Sequence, residues 1–194
     1  MDITTQTLSG NLIDLEVLRA NHLEDYFLAA QDPEIWKFMP FDLSDKAMLR
    51  MYIDHVATQP EKGEAVGYVI RHKASGRVIG ASGYWHIDHQ HCKLEIGGSW
   101  IGRAFQRTGV NTEAKYLLLN NAFENLGCTR IAFSIDERNL NSITAIERIG
   151  ATKEGILRGD MLMHDGSIRN SVVYSVLGSE WPEVKKRLKG FLAT

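Results

Sequence analysis

The sequence predicts an α/β protein, or α+β in stricter terms, with one central mixed sheet of about seven strands and flanking helices. The length of 194 residues fits a single domain. Apolar residues alternate with period two in several short segments and recur with period 3.6 in others, which predicts strands interleaved with helices. No repeat, low-complexity tract or linker divides the chain. We therefore interpret residues 1–194 as one domain.

The composition excludes several classes of protein. Lys plus Arg number 22 and Asp plus Glu 24, a formal charge of −2 that argues against binding nucleic acid through bulk electrostatics. No apolar run approaches the roughly 18 residues of a membrane span, and the first residues lack a signal-peptide pattern. The two cysteines, Cys92 and Cys128, form no CxxC motif and predict no disulfide framework or zinc site. We expect a cytoplasmic protein without membrane or direct nucleic-acid partners.

The first third of the chain predicts one strand and three helices. Residues 12–18 alternate apolar and acidic side chains, as in a strand, and residues 22–31 carry apolar side chains at helical spacing. Asp32-Pro33 is typical of a helix start, which predicts a second, short helix. Ser44 is the expected N-cap of a third helix, with one side formed by Met48, Met51, Tyr52 and His55.

The middle of the chain predicts an antiparallel meander. Residues 65–72, 77–87 and 93–101 have period-two patterns, and turns fit at 73–76 and 88–92.

The second half returns to alternating helices and strands. A helix over 112–126, ending near Gly127, lies between the strand at 93–101 and a strand at 130–135. This βαβ order predicts that those two strands are parallel. The remaining elements are a helix at 140–149, strands at 154–163 and 168–177, and a last helix starting near Glu180.

The loop at 106–113 is the most informative segment for function. It follows a strand, contains Gly109 and opens a helix, whose first N–H groups and dipole favour an anion such as phosphate. Arg103 and Arg107 add local positive charge. The loop matches neither a P-loop nor a Rossmann fingerprint. The alternative is an ordinary polar connection between a strand and a helix.

The same loop resembles the Q/R-x-x-G-x-G/A pyrophosphate loop of the GNAT acetyltransferase superfamily. Gln106 and Gly109 match this pattern, whereas Asn111 departs from its final small residue. Residues 93–101, 137–155 and 157–177 are also similar to that superfamily, in particular to its RimJ/RimL branch. The resemblance implies the GNAT fold and acetyl transfer from acetyl-CoA, without a metal, to a protein N-terminal amine or a small-molecule amine.

The resemblance also implies where acetyl-CoA would bind. It would lie between the strand that ends at Ile101 and the parallel strand at 130–135, which splay apart in this family. The pyrophosphate would sit on the amides of residues 107–112, and the pantetheine arm would run toward Asn139 and Ser142. The expected cofactor-binding residues are Trp100, Ile101, Gln106, Arg107, Thr108, Gly109, Val110, Asn111, Thr112, Asn139 and Ser142.

Two residues are candidate catalytic groups. Glu95 lies in a strand of apolar and small residues, where a carboxylate is expected to face a cleft, and the resemblance implies a general base acting through water. Its alternative is an exposed residue paired with Lys93 or an arginine. Ser142 is expected to protonate the leaving thiolate, because Ile146 stands where many GNAT enzymes have a tyrosine. Its alternative is a helix cap, together with Asn139.

The acceptor site is the least defined part of the prediction. The resemblance places Trp36 and Phe38 in its wall, although such aromatic side chains are more often core, and places Asp160 near the amine. The histidines at 86, 89 and 91 fit a hairpin tip better than a metal site. The acceptor's identity and the oligomeric state, monomer or homodimer, stay open. So do two other functions, an inactive CoA- or partner-binding module and a module that binds another phosphate.

Overall fold

The computed structural model describes residues 1, 3 and 5–193. Among these residues, eight strands form one sheet: β1 Leu8–Ser9, β2 Ile13–Val17, β3 Val66–His72, β4 Val78–Asp88, β5 Lys93–Ile101, β6 Arg130–Asp136, β7 Thr152–Leu162 and β8 Ile168–Leu177. Their order in the sheet is β1-β2-β3-β4-β5-β6-β8-β7. The prediction of about seven strands omitted β1, because two residues are too few to show an alternating pattern.

In the described part of the chain, five α-helices flank this sheet: α1 Leu23–Ala29, α2 Lys46–Lys62, α3 Val110–Asn120, α4 Leu140–Ile149 and α5 Trp181–Leu192. Short 3-10 turns occur at Ala20–His22, Pro33–Ile35 and Arg103–Phe105, and a π-helical turn at Asn121–Asn125 extends α3. Gly127 follows that turn with φ of 68°, the left-handed conformation expected at a helix end.

One prediction for the first third of the chain was wrong. The N-cap of α2 is Asp45, whose carboxylate accepts hydrogen bonds from the N–H groups of Ala47 and Met48, and not Ser44. The core face of α2 is accordingly Leu49, Ile53 and Val56, while Met48 and Met51 are 53% and 67% exposed. The short helix predicted at Asp32-Pro33 is present as the 3-10 helix Pro33–Ile35, capped by the Asp32 side chain, which accepts the N–H of Glu34.

The predicted meander and βαβ unit are both present. Strands β3, β4 and β5 pair antiparallel in sequence order, and β5 pairs parallel with β6 across α3.

Each face of the sheet carries its own apolar core. One core joins Leu94 and Ile96 of β5 and Phe133 of β6 to α3, and the other joins Ala81 of β4 and Trp100 of β5 to α1 and α2. Because successive strand residues point to opposite faces, Glu95 points away from α3.

The sheet opens between β5 and β6. The two strands pair only from Lys93 opposite Arg130 to Glu95 opposite Ala132, although β5 continues to Ile101 and β6 to Asp136. On its other side, β5 has an irregular register against β4 at Gly98, whose φ is 60°. The result is a wedge-shaped gap in the middle of the sheet, and Glu95 stands where the gap begins.

Candidate active site

A large cavity fills the gap between the two strands. Its volume is about 1630 Å³, and its wall includes β5 beyond Glu95, β6 from Phe133, the loop at 106–109 and the first turns of α3 and α4. Single-ligand pockets are typically about 300–1,000 Å³. The cavity is therefore large enough for two molecules side by side.

The loop before α3 has a defined conformation. The Gln106 side chain donates to the Ile101 carbonyl at 3.0 Å, and the Thr108 hydroxyl donates to the Phe105 carbonyl at 2.7 Å. Arg107 has φ of 59°, a left-handed conformation that is uncommon for residues other than glycine. These features turn the chain sharply and bring the start of α3 to the cavity wall.

The start of α3 is anchored by a contact that the sequence did not reveal. The buried carboxylate of Glu113 accepts hydrogen bonds from the backbone N–H groups of Asn11, Leu12 and Ile13, at 2.7 to 2.9 Å. These donors precede Glu113 by about 100 residues, so no local sequence pattern points to the contact. It fixes the first turn of α3 against the turn between β1 and β2.

Most of the expected cofactor-binding residues line the cavity. These are Trp100, Ile101, Gln106, Arg107, Thr108, Gly109, Asn111, Thr112, Asn139 and Ser142. Val110 does not, because its side chain is 2% exposed in the core beneath α3.

Glu95 lies on the cavity wall and is partly buried. Burial raises the pKa of its carboxyl group above the ordinary value, and the nearby charge of Asp160 raises it further, while His86 and Arg169 act in the opposite direction. Lys93, the alternative partner considered from the sequence, lies 3.6 Å from Asp88 instead. The group is thus a carboxyl of raised pKa facing a cavity.

Asn139 and Ser142 stand at the start of α4, where their roles are distinct. The Asn139 side-chain oxygen accepts the backbone N–H of Ser142 at 3.1 Å and caps the helix. The Ser142 side chain is therefore not the cap that the sequence allowed. Among the described residues, its hydroxyl has no hydrogen-bond partner, and it lines the cavity.

Of the three residues expected at the acceptor site, one lines the cavity and two do not. Phe38 lines the cavity. Trp36 is 1% exposed, donates its indole N–H to the Ala30 carbonyl and packs against Trp100, so it belongs to the core. Asp160 is exposed and lies outside the cavity wall, although its charge reaches Glu95.

The comparison with known families decides the assignment. The family model described as an acetyltransferase (GNAT) domain matches residues 13–152, well over half of the chain. The chain belongs to the GNAT family. The resemblance read from the loop and three further segments is thereby confirmed, and the protein is an acetyltransferase.

One relative and one solved structure match this GNAT protein over most of its length. It is 31% identical over 170 residues to the "Uncharacterized N-acetyltransferase p20" of Bacillus licheniformis, across 84% of this chain and 93% of that protein. A crystal structure of a GCN5-related N-acetyltransferase from Brucella melitensis matches with a TM-score of 0.90 and 27% identity, across 98% of this chain and 86% of that chain.

A RimJ is among the proteins of the same fold. RimJ of Mycobacterium smegmatis, solved in complex with CoA-disulfide, matches with a TM-score of 0.82 across 95% of this chain and 91% of that chain. Its identity of 17% shows the shared fold alone.

Three further residues of the GNAT cavity did not emerge from the sequence. Trp85 lies opposite Glu95 in the sheet, and its indole N–H is buried without a partner among the described residues. Arg169 is buried and donates to the hydroxyls of Ser171 and Ser134. Lys115 is buried on α3, beside the apolar residues Ala114 and Leu118. A charged residue next to the apolar residues of a helix is the sequence signal that could have indicated it.

The cavity fits the co-substrate that GNAT enzymes use. The orphaned Trp85 donor and the unpaired edge of β5 offer polar partners to an elongated ligand with amide groups. The start of α3 and the neighbouring Arg103 and Arg107 suit its phosphates.

The remaining predictions concern metals and membranes. In the part of the chain that the structure describes, no group of His, Cys, Asp and Glu side chains is arranged to hold a metal ion. The two ring nitrogens of His89 face the carbonyl oxygens of Met1 and Gly63, which can only accept a hydrogen bond, and His91 pairs with Asp88. None of the described helices has the length and apolar character needed to cross a bilayer.

Proposed function

We propose that this GNAT protein transfers the acetyl group of acetyl-CoA directly to a primary amine, either a protein N terminus or a small-molecule amine. The observation that carries the proposal is the position of Glu95. It is the last residue of β5 that pairs with β6, and its carboxyl faces a cavity that continues to the loop before α3. A base therefore stands next to the gap in which the thioester would lie.

The loop and the start of α3 would hold the phosphates. The first N–H groups of a helix lack intrahelical partners, and here they open onto a cavity also lined by Arg103 and Arg107. The free edge of β5 beyond Glu95 would hydrogen-bond the pantetheine arm. Asn139 and Ser142, at the start of α4, would border its reactive end.

Glu95 would accept the proton of the amine through a water molecule. An α-amine has a pKa near 8 and a lysine amine about 10.4, so the acceptor arrives largely protonated. Burial raises the pKa of Glu95, which makes its carboxylate a stronger base than an ordinary one.

Bound acetyl-CoA supplies the thioester, whose carbonyl carbon bonds to the amine nitrogen as the carbon–sulfur bond breaks. Ser142 would donate its hydroxyl proton to the departing thiolate and regain one from water. Its hydroxyl is free of protein partners among the described residues and faces the cavity. Donation of this proton would therefore break no hydrogen bond among the described residues.

The acceptor would enter from the face of the sheet opposite α3, toward which Glu95 points. Phe38, Met39 and Phe41, which precede α2, give the cavity an apolar wall, and Met161 of β7 adds to it. This wall suits an amine that carries an apolar or uncharged substituent next to the nitrogen.

The test measures thiol release from acetyl-CoA with a panel of amines: peptides that begin with Ser or Ala, an aminoglycoside, an amino acid and a polyamine. We expect amine-dependent release, and we expect Glu95→Gln to lower kcat by roughly 10²- to 10⁴-fold with CoA affinity nearly unchanged. Glu61→Gln, on the exposed surface of α2, is the matched control. A parental rate in Glu95→Gln would place the base elsewhere, and CoA binding without turnover on any amine would favour an inactive binding module.

A further inference from the structure

Lys115 is a buried cation without a counter-charge among the residues that the structure describes. The residue is 6% exposed, on the side of α3 that faces the sheet, and it lines the cavity. Its ammonium donates to the Ser99 hydroxyl at 2.8 Å and lies 5.8 Å from the centre of the Phe133 ring. Among the described residues, no carboxylate forms an ion pair with it, whereas buried charges are ordinarily paired.

The hydrogen-bonding capacity of Lys115 is only partly used. An ammonium group has three N–H donors, and the Ser99 hydroxyl takes one of them. The Ser99 oxygen is itself 2.7 Å from the Ser82 oxygen, which fixes its position between two strands. Two donors of a buried charge remain for an acceptor that enters the cavity.

The contacts of Lys115 place it behind the gap in the sheet. Ser99 belongs to β5, four residues beyond Glu95, and Phe133 is the first residue of β6 beyond the last paired position. Lys115 therefore touches both edges of the gap from the α3 side. Glu95 points to the opposite face, so Lys115 is not placed to contact the incoming amine.

The distance from the helix start separates Lys115 from the phosphates. It lies five residues after Val110, which at about 1.5 Å per residue is roughly 7.5 Å along the helix axis. A pyrophosphate at the start of α3 would be satisfied by the N–H groups there. The portion of acetyl-CoA that would pass Lys115 is the pantetheine arm, which offers two amide carbonyl oxygens.

We propose that Lys115 is a further acetyl-CoA-binding residue, whose ammonium donates a hydrogen bond to an amide carbonyl of the pantetheine arm as the arm lies in the gap. This inference rests on the proposed function, because it assumes that acetyl-CoA occupies the gap. Burial lowers the pKa of Lys115 to about 8, so the ammonium form still predominates at neutral pH.

The test compares two ligands that differ in the arm. CoA contains the pantetheine arm, and 3′-phospho-ADP carries the same phosphates without it. Lys115→Met preserves the length of the side chain and removes the charge. At pH 7 we expect it to weaken CoA binding about 10- to 100-fold in calorimetry, as for loss of a hydrogen bond to a charged group, and to leave 3′-phospho-ADP affinity unchanged. Lys62→Met, on the exposed part of α2, is the matched control.

Several outcomes would overturn the inference. Equal weakening of both ligands would mean that Lys115 acts on the phosphates or on the shape of the loop. Unchanged CoA affinity would mean that it makes no contact, and the proposed function would stand. If the wild-type protein bound neither ligand, the proposed function itself would fall. Should Lys115→Met fail to fold, Lys115→Gln, which keeps a neutral donor, carries the same comparison with a smaller expected loss.

Discussion

The side-chain oxygen of Asn139 accepts the backbone N–H of Ser142 at 3.1 Å, so the cap of α4 and the hydroxyl facing the cavity belong to different residues. From the sequence, either residue could have been the cap. The geometry makes their contributions to stability and to rate separable by substitution.

Ser142→Ala should therefore change the rate more than the stability. We expect Tm within a degree or two of the parent, because the cap remains, and kcat about 10- to 100-fold lower, because a thiol of pKa near 8.5 leaves moderately well without an acid. Steady-state kinetics and thermal unfolding measure the two effects. A parental rate on both sides of pH 8 would show that water or the substrate protonates the thiolate.

Asn139→Ala is the complement of that variant. It removes the capping oxygen and should cost about 0.5–2 kcal/mol in the free energy of unfolding, whereas Asn139→Asp should restore most of it. If Asn139→Ala were as stable as the parent, the cap would contribute nothing.

The pH dependence of the rate should respond in opposite directions to two charges near Glu95. The Arg169 cation favours the carboxylate and holds the pKa of Glu95 down, so Arg169→Gln should move the acidic limb of kcat/KM to higher pH. Asp160 disfavours the carboxylate, so Asp160→Asn should move that limb to lower pH. Arg169→Lys keeps the charge and serves as the control. Shifts in the same direction, or none, would exclude Glu95 as the titrating base.

Substitution of Gly109 tests whether the phosphates of CoA bind at the loop before α3. A Cβ at this position would meet only the end of the Leu12 side chain, at 2.9 Å, which can move, and the helical backbone there accepts any residue. Gly109→Glu should therefore fold and lose CoA affinity, since it places negative charge where phosphates would bind. Gly109→Gln has the same size without the charge and should lose less. Equal CoA affinity in Gly109→Glu and the parent would remove the loop from the binding site.

Glu113 should matter for stability although it has no place in the chemistry. Glu113→Gln replaces one of two acceptor oxygens by an NH2 group that faces backbone donors. We expect a loss of about 1.5–3 kcal/mol in the free energy of unfolding, typical of hydrogen bonds to charged groups. Urea titration measures this loss, and Glu61→Gln, at an exposed position, is the control. An unchanged unfolding midpoint in Glu113→Gln would show that the anchor is not needed.

The sequence predicted those features whose signal lies within a few neighbouring residues. The meander, the helix at 140–149 and the loop at Gly109 each carry their signal within a few residues, through alternation, helical spacing or a glycine at a helix start. The neighbouring cap candidates Ser44 and Asp45 carry almost the same signal, and the structure decides for Asp45 through two backbone hydrogen bonds.

The features that the sequence could not predict depend on distant parts of the chain. Glu113 is explained only by the turn at 11–13, and Lys115 only by strands β5 and β6. The family resemblance implied that Trp36 forms part of a pocket wall, although aromatic side chains of this kind are more often core. Its indole N–H donates to the Ala30 carbonyl in the core, which no local pattern shows.

The short pairing of β5 with β6 has a consequence for amide exchange. Only three residue pairs join these strands, from Lys93 to Glu95 in β5. The amides of β5 that follow Glu95 and face β6 therefore have no hydrogen-bond partner in β6. In deuterium-exchange measurements they should label faster than their neighbours that bond to β4, and adding CoA should slow them. The enzyme would then complete the hydrogen bonding of its own sheet with the backbone-like amides of its co-substrate.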